Sequence, residues 1–151
     1  MSRVEKDIEV EAPVRSVYNQ WTQFEQFPHF MEGVEEVKQL DDTHVHWKAK
    51  IAGKTRDWDA RITEQIPDER IAWTSEDGAH NAGVVTFHKL DDSTTKVMLQ
   101  LEFKPEGVVE MVGDQLDMVR LRTKGDMKRF KKFIEERGTE SGAWRGEVQN
   151  N

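Results

Sequence analysis

The chain has no cysteine in its 151 residues, which excludes disulfide bonds, thiolate metal sites and cysteine nucleophiles. It has no apolar run near the roughly 20 residues of a membrane span, and its N-terminal stretch lacks the apolar segment of a signal peptide. The net charge of −7 disfavours general nucleic-acid binding. No GxSxG nucleophile motif or phosphate-binding glycine loop is present. We therefore expect one cytoplasmic domain with no nucleic-acid partner and no integral membrane segment.

Aromatic residues are concentrated early in the chain, in the stretch YNQWTQFEQFPHFM at residues 18–31. A strand is predicted just before it, because apolar and acidic residues alternate over residues 4–12. Pro13 suits the first turn of a helix, and Pro28 lacks the amide hydrogen that a continuing helix needs. The pattern predicts two short helices with a bend between them.

Residues 34–104 alternate between short apolar runs and turn signals, which predicts six antiparallel strands. The segment EDGAHNAG at 76–83 is the longest stretch typical of a loop. Three- and four-residue apolar spacing from Val108 to Ile134 then predicts one long amphipathic helix, which Gly138 ends. The predicted class is α+β: a seven-stranded curved antiparallel sheet around a long C-terminal helix. We assign residues 1–138 to this domain and 139–151 to a C-terminal tail.

The order of these elements resembles the helix-grip fold of the START and birch-pollen-allergen (SRPBCC) superfamily. The resemblance is carried by IEVEAPVRSVYNQWTQFEQFPHFMEGVEEV, IAWTSEDGAHNAGVVTFHKL and RFKKFIEERGTESGAWRG. The chain is most similar to the polyketide cyclase/dehydrase branch, which is grouped with coenzyme Q-binding START-like domains. This resemblance implies the helix-grip fold and a hydrophobic ligand, without a cofactor. It carries over no catalytic residue, because the fold hosts carriers, sensors and enzymes alike.

A cavity between the sheet and the last helix is expected to hold this ligand. Its expected ligand-binding residues face inward by strand parity or lie on the apolar helix face: Trp47, Arg56, Trp58, Trp73, Phe87, Leu99, Leu116 and Val119. The helix pair is expected to cap it through Trp21, Phe27 and Phe30. Large apolar walls with few polar anchors are usual in small-molecule sites. The alternative is that the same side chains fill a solid core.

Arg56 is the polar residue most interesting for ligand binding, because it shares strand parity with Trp58. If it is buried it needs a partner, and Glu64, of the same parity, is one candidate, as are Asp114 and Asp117. It would then be placed to fix a carboxylate or carbonyl oxygen of a ligand. The alternative is that Arg56 lies at the strand's mouth and extends into water.

Acid–base catalysis has only weak candidates in this sequence. His80, in the predicted loop, is the histidine best placed for acid–base work, and Glu64 and Asp114 are the carboxylates that could face the cavity. His44 and His46 have a spacing that a metal could use, but their parity points outward and no third ligand is evident. We therefore predict no metal site and leave open whether any reaction is catalysed.

Two surface features leave their partners open. The basic run RLRTKGDMKRFKK at 120–132 is either a solvated helix face or a peripheral contact for anionic lipid. Trp144 and Arg145, in a polar tail, dock either onto the body of the chain or onto another subunit of a homo-oligomer. Three functions follow: binding of a lipid, isoprenoid quinone or polyketide-like molecule; a polyketide cyclase or dehydratase; or an interaction protein with a filled core.

Overall fold

A computed structural model of the protein describes residues 2–51, 54–77, 80–104 and 113–149. Seven strands form one antiparallel sheet in the order β1-β7-β6-β5-β4-β3-β2. The strands are β1 Ser2–Val10, β2 Val34–Gln39, β3 His44–Ile51, β4 Lys54–Ile66, β5 Arg70–Ser75, β6 His80–Asp91 and β7 Thr94–Lys104. The helices are α1 Val14–Trp21, a 3-10 helix at Phe24–His29 and α2 Gly113–Arg137. The predicted α+β fold, with its curved sheet and long C-terminal helix, is confirmed.

The helices begin and end where the sequence indicates. Pro13 precedes the first residue of α1, and Pro28 lies inside the short 3-10 helix, so the predicted pair of helices is confirmed. Gly138 follows α2 with φ of 76°, a left-handed conformation that glycine adopts without steric cost. The first part of the helix predicted from Val108 lies outside the described residues, which resume at residue 113.

Two local predictions about the strands are wrong. Residues 80–83 were expected in a loop, but they form the start of β6 and pair with β7 from Leu101 to Lys104. Glu64 was expected to share the inward face with Arg56, but the β4–β5 register shifts between Ile62 and Glu64. This bulge turns Gln65 inward instead, where its side chain is fully buried.

The hydrophobic core lies where α1, the 3-10 helix and the C-terminal half of α2 pack on the sheet. Trp21 lies at its centre. The centroid of the Trp21 ring is 5.7 Å from that of Phe27, 6.3 Å from that of Phe87 and 4.8 Å from that of Phe130. Edge-to-face arrangements of this kind let aromatic rings fill space while their quadrupoles attract. The aromatic stretch after the first strand therefore packs into the core beneath α2.

Helix α2 is fixed to the body by polar contacts of its basic run. Arg122 donates to the carbonyl of Lys50 at 2.8 Å, and Arg129 donates to the carbonyl of Phe30 at 2.9 Å. Asp126 accepts a hydrogen bond from Arg129, although burial raises the pKa of this carboxyl. Part of the basic run therefore holds α2 against the body of the protein. Fewer of its cations are left for the peripheral contact with anionic lipid that was one of the two alternatives.

The C-terminal strap, residues 139–149, docks onto the body of the same chain. Val148 and Gln65 exchange two backbone hydrogen bonds of 2.7 and 2.9 Å, which extends the sheet beside β4 beyond its pairing with β3. Arg145 donates to Asn19 at 2.7 Å and to Asp68 at 2.9 Å. The strap covers α1, so Asn19 and the neighbouring Gln20 are almost fully buried. Of the two partners left open for the tail, the structure shows the chain's own body.

Candidate functional site

Part of the inward face of the sheet is fully packed, and part of it is only half-buried. On β5, Ile71 is 1% exposed but Trp73, two residues later, is only half-buried. On β7, Leu99 is buried but Leu101 is half-buried. We call the half-exposed apolar side chains Trp47, Trp58, Trp73 and Leu101 the tryptophan wall. Apolar area left partly open on an inward face is what a small-molecule site requires.

Two tryptophans of the wall face each other across neighbouring strands. Trp47 on β3 and Trp58 on β4 are cross-strand partners, with ring centroids 6.2 Å apart and planes within 1° of parallel. Phe27 lies 5.5 Å from Trp47 and joins the wall to the core. The indole Nε1 of Trp58 is buried and has no hydrogen-bond partner among the described residues. This donor is available to an acceptor atom of a ligand.

The third tryptophan depends on a glycine in the next strand. Trp73 pairs in register with Gly83, which in turn pairs with Leu101. A Cβ on Gly83 would lie 2.5 Å from the Trp73 indole and 3.0 Å from Leu101. The absence of a side chain at Gly83 is therefore what lets the Trp73 ring lie over β6.

Valine at position 83 is expected to displace the Trp73 ring, because its Cβ cannot share that space. We expect Gly83→Val to lower the free energy of unfolding by about 1–3 kcal/mol, the usual cost of overpacking. Urea unfolding checks the stability, and near-UV circular dichroism reports the displaced indole. Ala82→Val, at the adjacent outward register position of β6, is the control and should change neither measurement. An unchanged near-UV spectrum for Gly83→Val would contradict this packing.

Arg56 shares the inward face of β4 with Trp58 and so borders the tryptophan wall. Arg56 is half-buried and pairs with Ala49 in the strand register. No described residue forms a hydrogen bond or ion pair with its side chain. The contact of Arg122 with Lys50 brings α2 to the end of β3, one residue from this pair. Arg56 is thus a half-buried cation without a protein partner in the described part of the chain.

The remaining expected ligand-binding and capping residues fall into two groups. Phe87 and Leu99 are buried in the packed core cluster, as are the expected cap residues Trp21, Phe27 and Phe30. Leu116 and Val119 on α2 are half-buried, whereas Met118 and Leu121 are 58% and 71% exposed. Contact of any of these residues with a ligand stays a prediction.

The catalytic candidates do not converge in the structure. Glu64 forms an ion pair with Arg70 and holds an outward register position opposite Ala72. On β6, Asn81 and Gly83 hold inward register positions. His80 precedes Asn81 in this alternation, so it holds an outward register position as well. The side chain of Asp114 lies outside the described residues. The described part of the chain therefore offers no paired acid and base at the tryptophan wall.

The two histidines of β3 lie among carboxylates on the outer face of the sheet. His44 contacts Asp41 at 2.9 Å and Glu76 at 3.4 Å, and His46 contacts Asp59 at 2.6 Å. Within the described ranges, no group of three or more such side chains is arranged to hold a metal ion. These contacts are histidine–carboxylate hydrogen bonds and close contacts along one face of the sheet.

The hydrogen bond that the His44 ring donates to the Asp41 carboxylate raises the pKa of His44 above its ordinary value of 6.5. Because the folded-state pKa lies above the unfolded one, protonated His44 stabilises the fold fully below the unfolded pKa. That contribution is lost as pH rises through the folded pKa. We expect Asp41→Asn to lower the His44 pKa in an NMR titration. Asp91→Asn, in a similar turn closed by Ser93, is the control that should leave it unchanged. An unmoved His44 titration in Asp41→Asn would refute the assigned cause.

Some residues of the site were not anticipated from the sequence. Leu101 is not among the ligand-binding residues expected from the sequence, and Gly83 lies in the stretch that was expected to form a loop. Their role depends on the register that joins Trp73, Gly83 and Leu101 across three strands. A glycine within an alternating run is the local signal for such a close approach.

No helix in the described part of the chain is long and apolar enough to cross a membrane.

Comparisons with known proteins agree on a single family and fold. The model of the family "Polyketide cyclase / dehydrase and lipid transport" matches residues 10–132. An uncharacterized 17.2 kDa protein in the melC2-rnhH intergenic region of Streptomyces lincolnensis is 61% identical over 149 residues, which cover 98% of this chain and 99% of that protein.

Two solved structures share the fold at low sequence identity. The Zhui aromatase/cyclase from a Streptomyces species has a TM-score of 0.75 and 19% identity, covering 95% of this chain and 99% of its own. A START superfamily protein from Mycobacterium smegmatis has a TM-score of 0.70 and 15% identity, covering 89% of this chain and 95% of its own. At these identities the likeness shows the START-like fold alone.

Proposed function

The chain belongs to the polyketide cyclase/dehydrase and lipid transport family, and from this premise we propose that it binds a hydrophobic small molecule between the sheet and α2. The observation that carries the proposal is the tryptophan wall, whose inward-facing side chains stay half-buried while inward-facing neighbours such as Ile71, Val85 and Leu99 are packed in the core. Burial of this area by a ligand contributes about 25 cal/mol per Å² before the costs of association. A fully packed inward face would have favoured the interaction-protein hypothesis.

The polar groups beside the wall indicate what kind of ligand fits. The free Nε1–H of Trp58 is a donor for a carbonyl or hydroxyl oxygen, and Arg56 is a cation suited to a carboxylate or carbonyl. Parallel indoles at Trp47 and Trp58 present flat faces to a ring system. A flat or chain-like apolar molecule with an oxygen acceptor meets these conditions, which includes isoprenoid quinones, lipids with a polar head and polyketide-like aromatics.

Carriage of the ligand is the function we propose, in preference to its conversion. His80 and Glu64 hold outward register positions, so neither supplies an acid or base to the wall. A cyclase or dehydratase reaction would need such a group near the bound molecule. Conversion of the ligand is therefore an outcome that the binding experiment should test.

Native mass spectrometry of protein purified gently from its own host tests the proposal directly. We expect an adduct of discrete mass, and solvent extraction then identifies its chemical class. Titration with palmitate, decylubiquinone and naphthoquinone, followed by tryptophan fluorescence, measures binding of each compound. Incubation of the bound compound followed by mass analysis shows whether it is converted. Absence of an adduct, together with no saturable quenching by any of the three compounds, would refute the proposal.

Trp58→Phe separates the hydrogen bond from the apolar contact, because phenylalanine keeps a ring but loses the N–H. We expect this variant to bind naphthoquinone about 2- to 12-fold more weakly, the effect of one hydrogen bond of about 0.5–1.5 kcal/mol. Naphthalene, which has the same ring system without oxygen acceptors, is the matched control ligand. Equal weakening for naphthalene and naphthoquinone would show that Trp58 contributes only apolar area.

A further inference from the structure

The solvent side of α2 carries exposed apolar residues among exposed charges. Its exposed positions recur mainly at three- and four-residue steps, so they form one stripe along the helix. Leu121 is 71% exposed and Met118 is 58% exposed, the two largest values among the exposed large apolar side chains of the described residues. These two residues are neighbours on the helix surface, whereas single scattered apolar residues are ordinary. We call this stripe the outer face of α2: Asp117, Met118, Arg120, Leu121, Lys124, Lys128, Lys132 and Glu136.

The outer face carries more positive than negative charge. Its four cations are all exposed, and the two at its ends pair with its two carboxylates, at 3.3 Å for Arg120 and 3.9 Å for Lys132. Between them, Lys124 and Lys128 form no ion pair or hydrogen bond with any described residue. The middle of the outer face therefore presents two free cations beside Leu121.

This positive charge is local, because the whole chain carries a net charge of −7. The other cations of the basic run turn toward the body of the protein. Arg122 and Arg129 donate to backbone carbonyls, and Lys131 donates to the carbonyl of Glu9 at 3.0 Å. An anionic partner is thus attracted to the outer face and repelled by the acidic remainder of the chain, which orients its approach.

The combination of free cations and apolar side chains selects among anionic partners. A second copy of the chain fits poorly, because a twofold contact between outer faces would set Lys124 and Lys128 against their own counterparts. Nucleic acid offers phosphates to the cations but little apolar surface to Met118 and Leu121. An anionic lipid surface offers both, since amphipathic helices place cations at the headgroups and apolar side chains at the acyl boundary.

We propose that the outer face of α2 docks the protein onto an anionic lipid surface. Leu121 and Met118 enter the boundary between headgroups and acyl chains, and Lys124 and Lys128 contact anionic headgroups. The docking is peripheral and reversible, because two apolar side chains bury far less area than a membrane-spanning helix. It does not depend on the proposed ligand, since the buried residues of α2, such as Met127, lie on the opposite side of the helix.

Co-sedimentation of the full chain with lipid vesicles tests the charge requirement. We expect binding at low salt to phosphatidylcholine vesicles that contain about one third phosphatidylglycerol, and no binding to pure phosphatidylcholine. Lys124→Gln combined with Lys128→Gln should weaken this binding about 30-fold, at about fivefold for each cation. Lys38→Gln combined with Lys89→Gln removes two exposed cations elsewhere on the surface and is the matched control, which should bind nearly as well as the wild type.

Three results of this experiment would overturn the proposal: no binding of the wild type to the anionic vesicles, equal binding to both kinds of vesicle, or equal losses in the two double variants. Sedimentation velocity without vesicles should show a monomer. A dimer that Leu121→Gln disrupts would assign the outer face to a second copy of the chain and would contradict lipid docking as well.

The absence of cysteine allows a single fluorescent label to report insertion. Leu121→Cys labelled with the dye NBD should show blue-shifted emission on the anionic vesicles, because the dye enters an apolar boundary. Leu40→Cys, at another exposed leucine in the β2–β3 turn, is the control that should not shift. Without a label, Leu121→Gln should bind about tenfold more weakly than the wild type, and Leu40→Gln should bind equally well. An unshifted label at position 121 on bound vesicles would refute the insertion of this face.

Discussion

Replacing Phe130 by alanine is expected to lower the free energy of unfolding by about 3–5 kcal/mol, the cost of removing a large aromatic side chain from a closed core. Phe130 is 0% exposed, and its ring centroid lies 4.8 Å from that of Trp21 and 5.3 Å from that of Phe30. The cavity would open where α2 meets α1 and the 3-10 helix, and the surrounding aromatic rings are too rigid to fill it. Urea unfolding followed by far-UV circular dichroism measures the loss.

Phe133, on the same helix, is the matched control for this prediction. Its ring lies 5.3 Å from Phe30, but the side chain is only partly buried and stacks beside the exposed His29. Phe133→Ala should therefore cost less than half as much as Phe130→Ala, because less apolar area returns to water. Comparable losses from the two variants would mean that the core is not centred on the Trp21 and Phe130 contact.

The sequence was sufficient to predict the fold because its periodicities are strong. In β3 apolar residues alternate with polar ones, which places Val45 and Trp47 on one face; Val45 lies in the core cluster and Trp47 packs against it. Three- and four-residue spacing likewise predicted the long helix and the buried positions Phe130 and Ile134. Signals of this kind are local, so they can be read from one sequence without knowing which strands are neighbours.

Two local predictions beside the candidate site were wrong, because their outcome depended on long-range pairing. One shift of register at Ile62 reversed the expected faces of Glu64 and Gln65, and parity alone contains no sign of it. Gly83 was assigned to a loop on composition, but its pairing with Trp73 on one side and Leu101 on the other holds it in a strand. In both cases contacts with neighbouring strands decided the structure against local propensity.

The polar residues of α1 show a similar limit. Asn19 and Gln20 are typical of a solvated helix face, yet the strap buries both of them. Glu140 accepts a hydrogen bond from Asn19 at 2.8 Å, and Gln20 and Ser141 exchange two hydrogen bonds. Only the location of the tail, more than a hundred residues later, reveals that this face is an internal interface.

Removal of residues 139–151 is therefore expected to destabilise the domain rather than to trim a free tail. The deletion breaks the two backbone bonds to Gln65 and the side-chain bonds to Asn19 and Gln20. Each neutral hydrogen bond contributes about 0.5–1.5 kcal/mol to the free energy of unfolding, and those of Arg145 contribute more. Because ordering the strap costs conformational entropy, which opposes this gain, we expect the deletion to lower the free energy of unfolding by about 3–5 kcal/mol. Urea unfolding of the truncated chain measures this loss.

Point variants of the strap locate the effect within it. Arg145→Ala removes the bonds to Asn19 and Asp68 together and is expected to cost about 2 kcal/mol, since the side chain is partly screened by water. Arg145→Lys keeps the charge but loses the planar guanidinium that reaches both partners over the Tyr18 ring. The stability of this variant should therefore lie between that of Arg145→Ala and that of the wild type. Glu147→Ala, an exposed position of the same strap, should leave stability unchanged. A truncated chain as stable as the full one would show that the helix-grip body folds independently of the strap, and the burial of Asn19 and Gln20 would then contribute nothing to stability.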